Sequence, residues 1–307
     1  MQQTRRFATY NTKDLFANDD PDSVRRYGWV AEVIAELDAD VVAVQEITAT
    51  TQPAAEALLA HLAEMTGMTA TISPATGPGG AVYAAGAGGH RLAVGLLWRK
   101  DPAIVVQPDT VRVYGASSFF HSLIKLAMTI DGVPITVASW HAAPVGKHRR
   151  ADEAERVVSA VAFTGRPALV GCDGNTIGSA TIVDPVSGER ALYDADPYAA
   201  QPWQPGFVHT CTWQTDDDGV IVSHAADRTP TQTLSAGGLR DVAPTLGVPW
   251  APTAGHHPTD ALGMPRRLDY TLATGDVQLV QYQVVDTALT RKASDHLPTV
   301  TTWATRP

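Results

Sequence analysis

Residues 38–47 read DADVVAVQEI, a short apolar run that ends in a glutamine and a glutamate. A run of this length between polar residues predicts a buried β-strand, with Gln45 and Glu46 at its tip. Side chains at such a strand end leave the sheet at its edge, where binding sites tend to form. The stretch therefore predicts a buried sheet that presents chemically active groups at one edge.

Polar residues end other apolar strands of the chain in the same way. These stretches are ATYN at 8–11, SWH at 139–141, GCDGN at 171–175, RRLDY at 266–270 and SDHLP at 294–298. Each one taken alone has an ordinary interpretation as a turn, a cap or a solvated strand end. Their repetition at so many strand ends predicts that they belong to one site.

Helices are predicted between these strands by the spacing of apolar residues. Between Val24 and Leu37 apolar residues recur every three or four positions, which is one face of a helix. The predicted helices cover 22–37, 53–66 and 149–163. Strands outnumber helices about two to one and alternate with them only in part, which predicts mixed sheets in an α/β (α+β) fold.

Two long stretches lack a regular pattern. Residues 73–90 are rich in Gly, Pro and Ala, which predicts a mobile loop, and a lid role for it is open. Residues 176–265 are loop-rich, with Trp203 and Trp213 as the predicted anchors of a small subdomain or insertion.

The composition excludes several classes of protein. Hydrophobic residues make up 44% of the chain, which argues against a disordered protein. No apolar run approaches the ~18 residues of a membrane span, and no secretory signal is recognisable at the N-terminus. The two cysteines provide neither a disulfide framework nor a cysteine zinc site. A net charge of −9 argues against a purely electrostatic nucleic-acid binder, and a cytoplasmic location is expected.

The six strand-end motifs resemble, in order and context, those of the endonuclease/exonuclease/phosphatase superfamily, which has the deoxyribonuclease I-like fold. The resemblance covers about residues 5–303. It implies a four-layer αββα sandwich of two mixed, mainly antiparallel sheets flanked by helices. It also implies one catalytic domain over residues 1–307, with the insertion at about 176–265.

This resemblance implies a Mg²⁺-dependent phosphoester hydrolase in which a water attacks the phosphoryl group in line. Mn²⁺ is the alternative ion. Glu46 is a hard oxygen ligand, and with Asn11 and Asp295 it forms the expected metal site. The metal would polarise a phosphoryl oxygen or stabilise the leaving group.

The resemblance also implies roles for the other motif residues. Asp173 would orient or deprotonate the attacking water, and Asn175 would donate its amide to a phosphate oxygen. His296 would contact the phosphate with its other ring nitrogen held by Asp269, and His141 would be the second histidine there. Whether a histidine or Asp173 is the base stays open.

One feature departs from the family pattern. Relatives often support the first histidine, here His141, with a Tyr or Glu from the loop before the middle strands. That loop is 73–90 here, and Tyr83 is its only polar aromatic residue. The partner of His141 is therefore an open question.

Basic residues flank three of the motifs despite the negative net charge. Arg149 and Arg150 follow His141, and two more candidates stand near the later motifs. The candidate phosphate-binding residues are Arg149, Arg150, Arg267 and Arg291. If these arginines surround one site, they would suit a phosphorylated small molecule or a nucleic acid. An endonuclease acting on DNA or RNA is therefore the alternative to a hydrolase of small phosphoesters. A catalytically inactive relative that only binds is the third hypothesis.

Overall fold

Two six-stranded sheets form the centre of the molecule in the computed structural model, which describes residues 3–73, 81–183, 186–258, 260 and 262–305. Strands and helices are numbered in chain order. The first sheet contains, in spatial order, β17 (Gln278–Val284), β18 (Thr299–Ala304), β1 (Thr4–Leu15), β2 (Val41–Thr48), β6 (Leu92–Trp98) and β5 (Ala85–Gly86). The second contains β15 (Arg240–Asp241), β16 (Asp269–Ala273), β10 (Ala168–Asp173), β9 (Val133–His141), β8 (Ser122–Ile130) and β7 (Ile104–Tyr114).

The remaining elements are helices and short hairpins. The helices are α1 (Pro21–Glu36), α2 (Gln52–Thr66), α3 (Lys147–Val161), α4 (Thr229–Ala236), α5 (Val242–Thr245), α6 (Ala288–Ala293) and a 3-10 helix at Pro205–His209. The hairpins are β3 (Thr71–Ser73) with β4 (Val82–Tyr83), β11 (Thr181–Val183) with β12 (Arg190–Leu192), and β13 (Cys211–Thr215) with β14 (Ile221–Ala226). None of the helices in the described part of the chain has both the length and the apolar character of a membrane span.

Each large sheet contains one parallel pair of strands and is otherwise antiparallel. β1 and β2 are parallel and are joined by α1, while β9 and β10 are parallel and are joined by α3. β1 also pairs antiparallel with β18, from Thr4 opposite Ala304 to Thr9 opposite Thr299. The prediction of mixed, mainly antiparallel sheets is confirmed.

The elements stack in four layers because alternate residues of each strand face opposite sides of their sheet. Phe7 and Leu96 of the first sheet pack against Leu126 and Val137 of the second in a shared core. The next residue of β1, Ala8, faces the helices α1 and α2 instead. Helices α3 and α4 cover the outer face of the second sheet. The predicted αββα sandwich is confirmed.

The predicted helices occur within two residues of their expected bounds. Helix α1 begins where the side chain of Asp20 accepts hydrogen bonds from the backbone N–H groups of Asp22 and Ser23, and Pro21 follows Asp20 in the first turn. Helix α2 ends at Gly67, whose φ of 70° is the left-handed conformation that glycine adopts most easily. Local capping therefore sets these bounds.

The two sheets lie close together beside the ends of their parallel strands. A Cβ atom on Gly171 of β10 would lie 2.6 Å from Ala43 Cβ and 2.7 Å from Thr9 Cβ, so only glycine fits there. Next to it, Gln45 Nε2 donates to Ser139 Oγ at 3.0 Å, and both side chains are buried. This polar link between the sheets fixes their spacing where the motif residues lie.

The Gly-rich stretch 73–90 differs from the mobile loop that its composition predicts. Residues 74–80 lie outside the described part of the chain, while the following segment contributes β4 and β5. The side chain of Gln52 accepts from Ala87 N at 3.1 Å and donates to Ala85 O at 2.7 Å. The expectation of a loop is therefore wrong for β4 and β5, because β4 pairs with β3 while the small residues Ala85 and Gly86 of β5 pair with β6 in the first sheet.

The segment 176–265, which was expected to be an insertion, provides most of a small hydrophobic cluster. Trp203 and Trp213 pack together with ring centroids 5.5 Å apart, and Phe207 lies 6.0 Å from Trp203. Trp203 packs against the buried cluster that contains Tyr198 and Phe207, whereas Trp213 is exposed, so its role as an anchor stays a prediction.

Candidate active site

The strand registers bring three motif residues to one level of the second sheet. Asp173, the last residue of β10, stands opposite His141 of β9 on one side and Asp269 of β16 on the other. In the first sheet Asn11 of β1 stands opposite Gln45 of β2, and Glu46 follows directly. The polar strand ends therefore meet at one edge of the sandwich, as predicted.

Asn11 joins the two sheets through a shared amide group. Its Nδ2 donates to Glu46 Oε1 at 2.9 Å and to Asp173 Oδ2 at 2.8 Å. The other carboxylate oxygen of Glu46 accepts from Asp14 N at 2.9 Å, and Asn11 Oδ1 accepts from Lys13 N at 3.0 Å. Because Asn11 is completely buried, this network holds two carboxylates of opposite sheets close together.

Glu46 reaches the site because the backbone of β2 is irregular there. Its φ is 67°, which is uncommon for a residue with a side chain, and the pairing of β2 shifts register between Val44 and Ile47. A bulge of this kind re-aims a side chain at the end of a strand, and strained backbone persists mainly at functional sites. The bulge therefore turns Glu46 toward Asn11.

His296 is held by Asp269 in a buried pair. His296 Nδ1 and Asp269 Oδ2 are 2.8 Å apart, and His296 Nε2 lies 3.9 Å from Asp173 Oδ2. Burial lowers the pKa of His296, but the Asp269 and Asp173 carboxylates outweigh burial and raise that pKa well above its usual value. Burial raises the pKa of Asp269, and His296 opposes that rise. The ring is therefore a hydrogen-bond donor at neutral pH.

Asp173 lies between the two histidines. Burial favours its protonated form, but His296 and His141 outweigh burial and lower the pKa of Asp173 below its usual value. His141 Nε2 is 3.5 Å from Asp173 Oδ2 and 4.0 Å from Glu46 Oε1. Burial lowers the pKa of His141, and Asp173 more than offsets this and raises it. The site therefore contains a carboxylate between two histidine rings whose pKa values it raises.

The support of His141 comes from a residue that sequence reasoning missed. Within the described residues His141 Nδ1 has no hydrogen-bond partner, and the ring instead stacks on His121 with centroids 4.0 Å apart. The sequence carries a signal for this contact, because the stretches FFHSLIKLAMTI at 119–130 and PITVASWH at 134–141 have the apolar pattern of consecutive strands. Their antiparallel pairing places Ser122 opposite His141, and His121 directly before it.

Asn175 lies at the site in a left-handed backbone conformation, with φ of 46°. Its backbone N–H donates to Asp173 Oδ1 at 3.0 Å, and its Nδ2 donates to Ala142 O at 3.1 Å. An amide Nδ2 carries two hydrogens, so one of them is left for a further acceptor.

The donor set at the site fits a hard divalent cation. Glu46, His141 and Asp173 bring one ligand atom each within 4.8 Å of one another. Carboxylate oxygens with water in the remaining positions are the usual environment of Mg²⁺. The other two expected ligands differ in this structure. Asn11 turns its Nδ2 toward the carboxylates, and Asp295 lies 3.4 Å from the ammonium group of Lys13.

Two of the four candidate arginines are structural, which corrects the prediction of a basic ring. Arg150 is fully buried and donates to Ala143 O at 2.8 Å and to His209 O at 2.6 Å. Arg267 is buried between Asp194 and Asp241, with contacts of 2.5 and 2.6 Å. A buried guanidinium needs such partners, so neither residue is available to a phosphate.

The other two arginines also have acidic neighbours. Arg291 pairs with Asp286 at 2.6 Å, and both side chains are exposed. Arg149 Nε lies 3.5 Å from Glu153 Oε1. The guanidinium carbon of Arg149 lies 5.1 Å from the ring centre of Phe120. Arg149 is thus the candidate that stays partly exposed near the segment after His141.

Solved structures with the same fold cover nearly the whole chain. The endonuclease/exonuclease/phosphatase from Bacteroides vulgatus is 15% identical, with a TM-score of 0.62 over 98% of this chain and 99% of that chain. The mannosyl-6-phosphatase Bt3783 from Bacteroides thetaiotaomicron is 13% identical, with a TM-score of 0.56 over 97% and 98%. The 2',3'-cyclic phosphatase ANGEL2 is 14% identical, with a TM-score of 0.57 over 99% and 96%. At these identities the likeness shows the fold alone.

Sequence comparison identifies the family. No curated protein sequence matches the chain at significant similarity. The profile of the Endonuclease/Exonuclease/phosphatase family, however, matches residues 9–296. That range contains the site residues from Asn11 to His296 and most of both sheets. The chain therefore belongs to the endonuclease/exonuclease/phosphatase family.

Proposed function

We propose that the chain is a Mg²⁺-dependent hydrolase of phosphoester bonds in which a water attacks the phosphorus in line. Members of its family are hydrolases that act on phosphoester bonds. The observation that carries the proposal is the meeting of Glu46, Asp173, His141 and His296 at one edge of the sandwich. Mn²⁺ is the alternative ion.

Each residue has a role that follows from its charge and position. Glu46 would hold the metal, which when bound supplies positive charge to the phosphoryl and leaving oxygens. Asp173 is the carboxylate that faces both histidines, so we assign it the orientation of the water and the acceptance of its proton. His296, with its ring fixed by Asp269, and Asn175 donate to phosphoryl oxygens, and this stabilises the charge of the transition state.

The surface charge favours a small phosphate ester over a nucleic acid. A nucleic-acid site needs several lysines or arginines free to contact phosphates. Arg150 and Arg267 are buried, and Arg291 is paired with an acid. Two structures of the same fold are named for a mannosyl-6-phosphatase and a 2',3'-cyclic phosphatase. We therefore propose a small phosphomonoester or phosphodiester as the substrate class.

The test is hydrolysis of four substrates with Mg²⁺, Mn²⁺ or EDTA. They are p-nitrophenyl phosphate, bis(p-nitrophenyl) phosphate, a single-stranded oligonucleotide and plasmid DNA. Glu46→Gln and Asp173→Asn should each lower the metal-dependent rate by at least about a hundredfold. Glu64→Gln, an exposed acid on α2, is the matched control and should keep the wild-type rate.

The pattern of turnover decides among the hypotheses. Metal-dependent turnover of the small esters alone supports the proposal. Nicking of the plasmid that depends on Glu46 would make the chain a nuclease. A wild-type protein that hydrolyses none of the four, while keeping its fold by circular dichroism, would refute the activity on these esters and favour a binding relative.

A further inference from the structure

His121 and His141 form a buried, nearly parallel pair of imidazole rings. Their centroids are 4.0 Å apart and their planes differ by 12°. The relative exposure of His121 is 4% and that of His141 is 2%. The pair exists because β8 and β9 are antiparallel neighbours and Ser122 stands opposite His141. The stacking is therefore built into the hairpin that carries a site histidine.

The two site histidines are held in different ways. His296 has its Nδ1 fixed by the Asp269 carboxylate, and this hydrogen bond sets the tilt of its ring. Across the described residues, neither His141 Nδ1 nor either ring nitrogen of His121 has a hydrogen-bond partner. His141 Nε2 lies 3.5 Å from Asp173 Oδ2, and this single long contact still allows the His141 ring to rotate about it. The face of His121 lies against the His141 ring and restricts its tilt, in addition to the contact of Nε2 with Asp173.

His121 also contacts a second aromatic ring, that of Phe120. The ring of Phe120 meets it edge-on, with centroids 4.8 Å apart. The buried carboxylate of Glu153 accepts from Phe120 N at 2.5 Å and from Ala143 N at 2.9 Å. One side chain of α3 thereby ties the segment before β8 to the segment after β9, which fixes the spacing of the two rings.

We propose that His121 is a positioning residue that holds the His141 ring in its reactive orientation by stacking. The proposal rests on the proposed hydrolase function, because His141 is one of the residues that meet at the proposed active site and is the second histidine expected at the phosphate. Aromatic rings whose faces lie this close attract each other, so the contact resists tilting of either ring.

The kinetic test compares two substitutions of His121 on the ester that the wild-type protein hydrolyses. His121→Ala removes the stacked face and should lower kcat at least about tenfold with little change in KM, because a misplaced reacting group lowers the rate rather than binding. His121→Phe keeps a flat ring and should stay within about threefold of wild type. His61→Ala, which removes a histidine–aromatic contact of α2 with Phe16, is the matched control.

A second measurement is independent of turnover. In protein labelled with ¹³C at the histidine rings, the His141 resonance, assigned with His141→Gln, reports the mobility of that ring. His121→Ala should lower its order parameter toward the values below about 0.6 that mark flexible groups, and His121→Phe should not. If no substrate is hydrolysed, the proposed function fails while this readout still tests the stacking.

Three outcomes would overturn the proposal. The first is a normal kcat in His121→Ala with only a lower Tm, since that is the behaviour of a packing residue. The second is an unchanged order parameter for His141 in that variant. The third is failure of His121→Phe to restore kcat while its Tm is normal, since a ring nitrogen rather than the face would then be needed.

Discussion

Replacement of Gly171 by alanine tests whether the close approach of the two sheets supports the site. The new Cβ would lie 2.6 Å from Ala43 Cβ, which is 0.8 Å short of the 3.4 Å where ordinary contact begins. Thr9 Cβ, 2.7 Å away, blocks a second direction. Both obstacles are Cβ atoms attached to the backbone, so no side-chain rotation relieves them and the strands must separate.

The separation has a consequence at the site, two residues along β10. If 0.8 Å is taken up between the sheets, the Asn11 Nδ2 to Asp173 Oδ2 distance of 2.8 Å becomes about 3.6 Å, which is no longer a hydrogen bond. Overpacking of a core costs about 1–3 kcal/mol. We therefore expect Gly171→Ala to lower Tm by about 2–6 °C. The same substitution should also lower kcat.

The assay is differential scanning calorimetry alongside turnover of the small ester. Gly28→Ala on α1 is the matched control, because a Cβ atom added at Gly28 meets nothing within 4 Å. Alanine in an exposed helix is favoured over glycine by about 0.5–1 kcal/mol, so that control should gain stability. Wild-type Tm and kcat in Gly171→Ala would refute the argument that the two sheets touch there.

Four further results are expected. Arg267→Ala should cost about 3–5 kcal/mol in thermal unfolding, because it leaves the carboxylates of Asp194 and Asp241 uncompensated. Arg156→Ala, which removes an exposed ion pair with Asp152, should leave Tm nearly unchanged. Burial lowers the pKa of His296, but its carboxylate neighbours raise that pKa by more than burial lowers it. The stability that the protonated ring gives the folded protein is therefore complete below about pH 6.5 and is lost as the pH rises through the raised pKa of the folded state. In EDTA, the Tm of the wild-type protein should therefore fall over that range more than the Tm of His296→Gln. Burial raises the pKa of the Cys172 and Cys211 thiols, so neither should react with Ellman's reagent before unfolding. Hydrolysis of the small ester should change little between ~50 and ~200 mM salt, whereas cleavage of DNA would weaken steeply.

The strand-end residues were predictable because each depends on local sequence. A short apolar run followed by a polar residue defines the end of a buried strand, and parallel neighbours end at the same edge. Asp173 and His141 stand opposite each other for that reason. The helix bounds followed from apolar spacing in the same way, as α1 at Pro21–Glu36 shows.

The surroundings of the site were not predictable because they depend on contacts between distant segments. Arg267 precedes Asp269 in the chain, which suggested a basic mouth. Its guanidinium instead faces Asp194, 73 residues earlier, and is buried. The bulge at Glu46 and the stacking of His121 likewise arise from pairing between strands. Sequence spacing therefore located the charged groups of the site and left open which of them are buried in ion pairs.

The pairing of β1 with β18 has a consequence for synthesis on the ribosome. Thr4 pairs with Ala304, so β1 emerges 300 residues before one of its neighbours. During that interval β1 presents an unpaired edge, which is open to other chains. His296, just before β18, arrives in the same late segment. We therefore expect nascent chains to stay inactive and dependent on chaperones until β18 has left the exit tunnel.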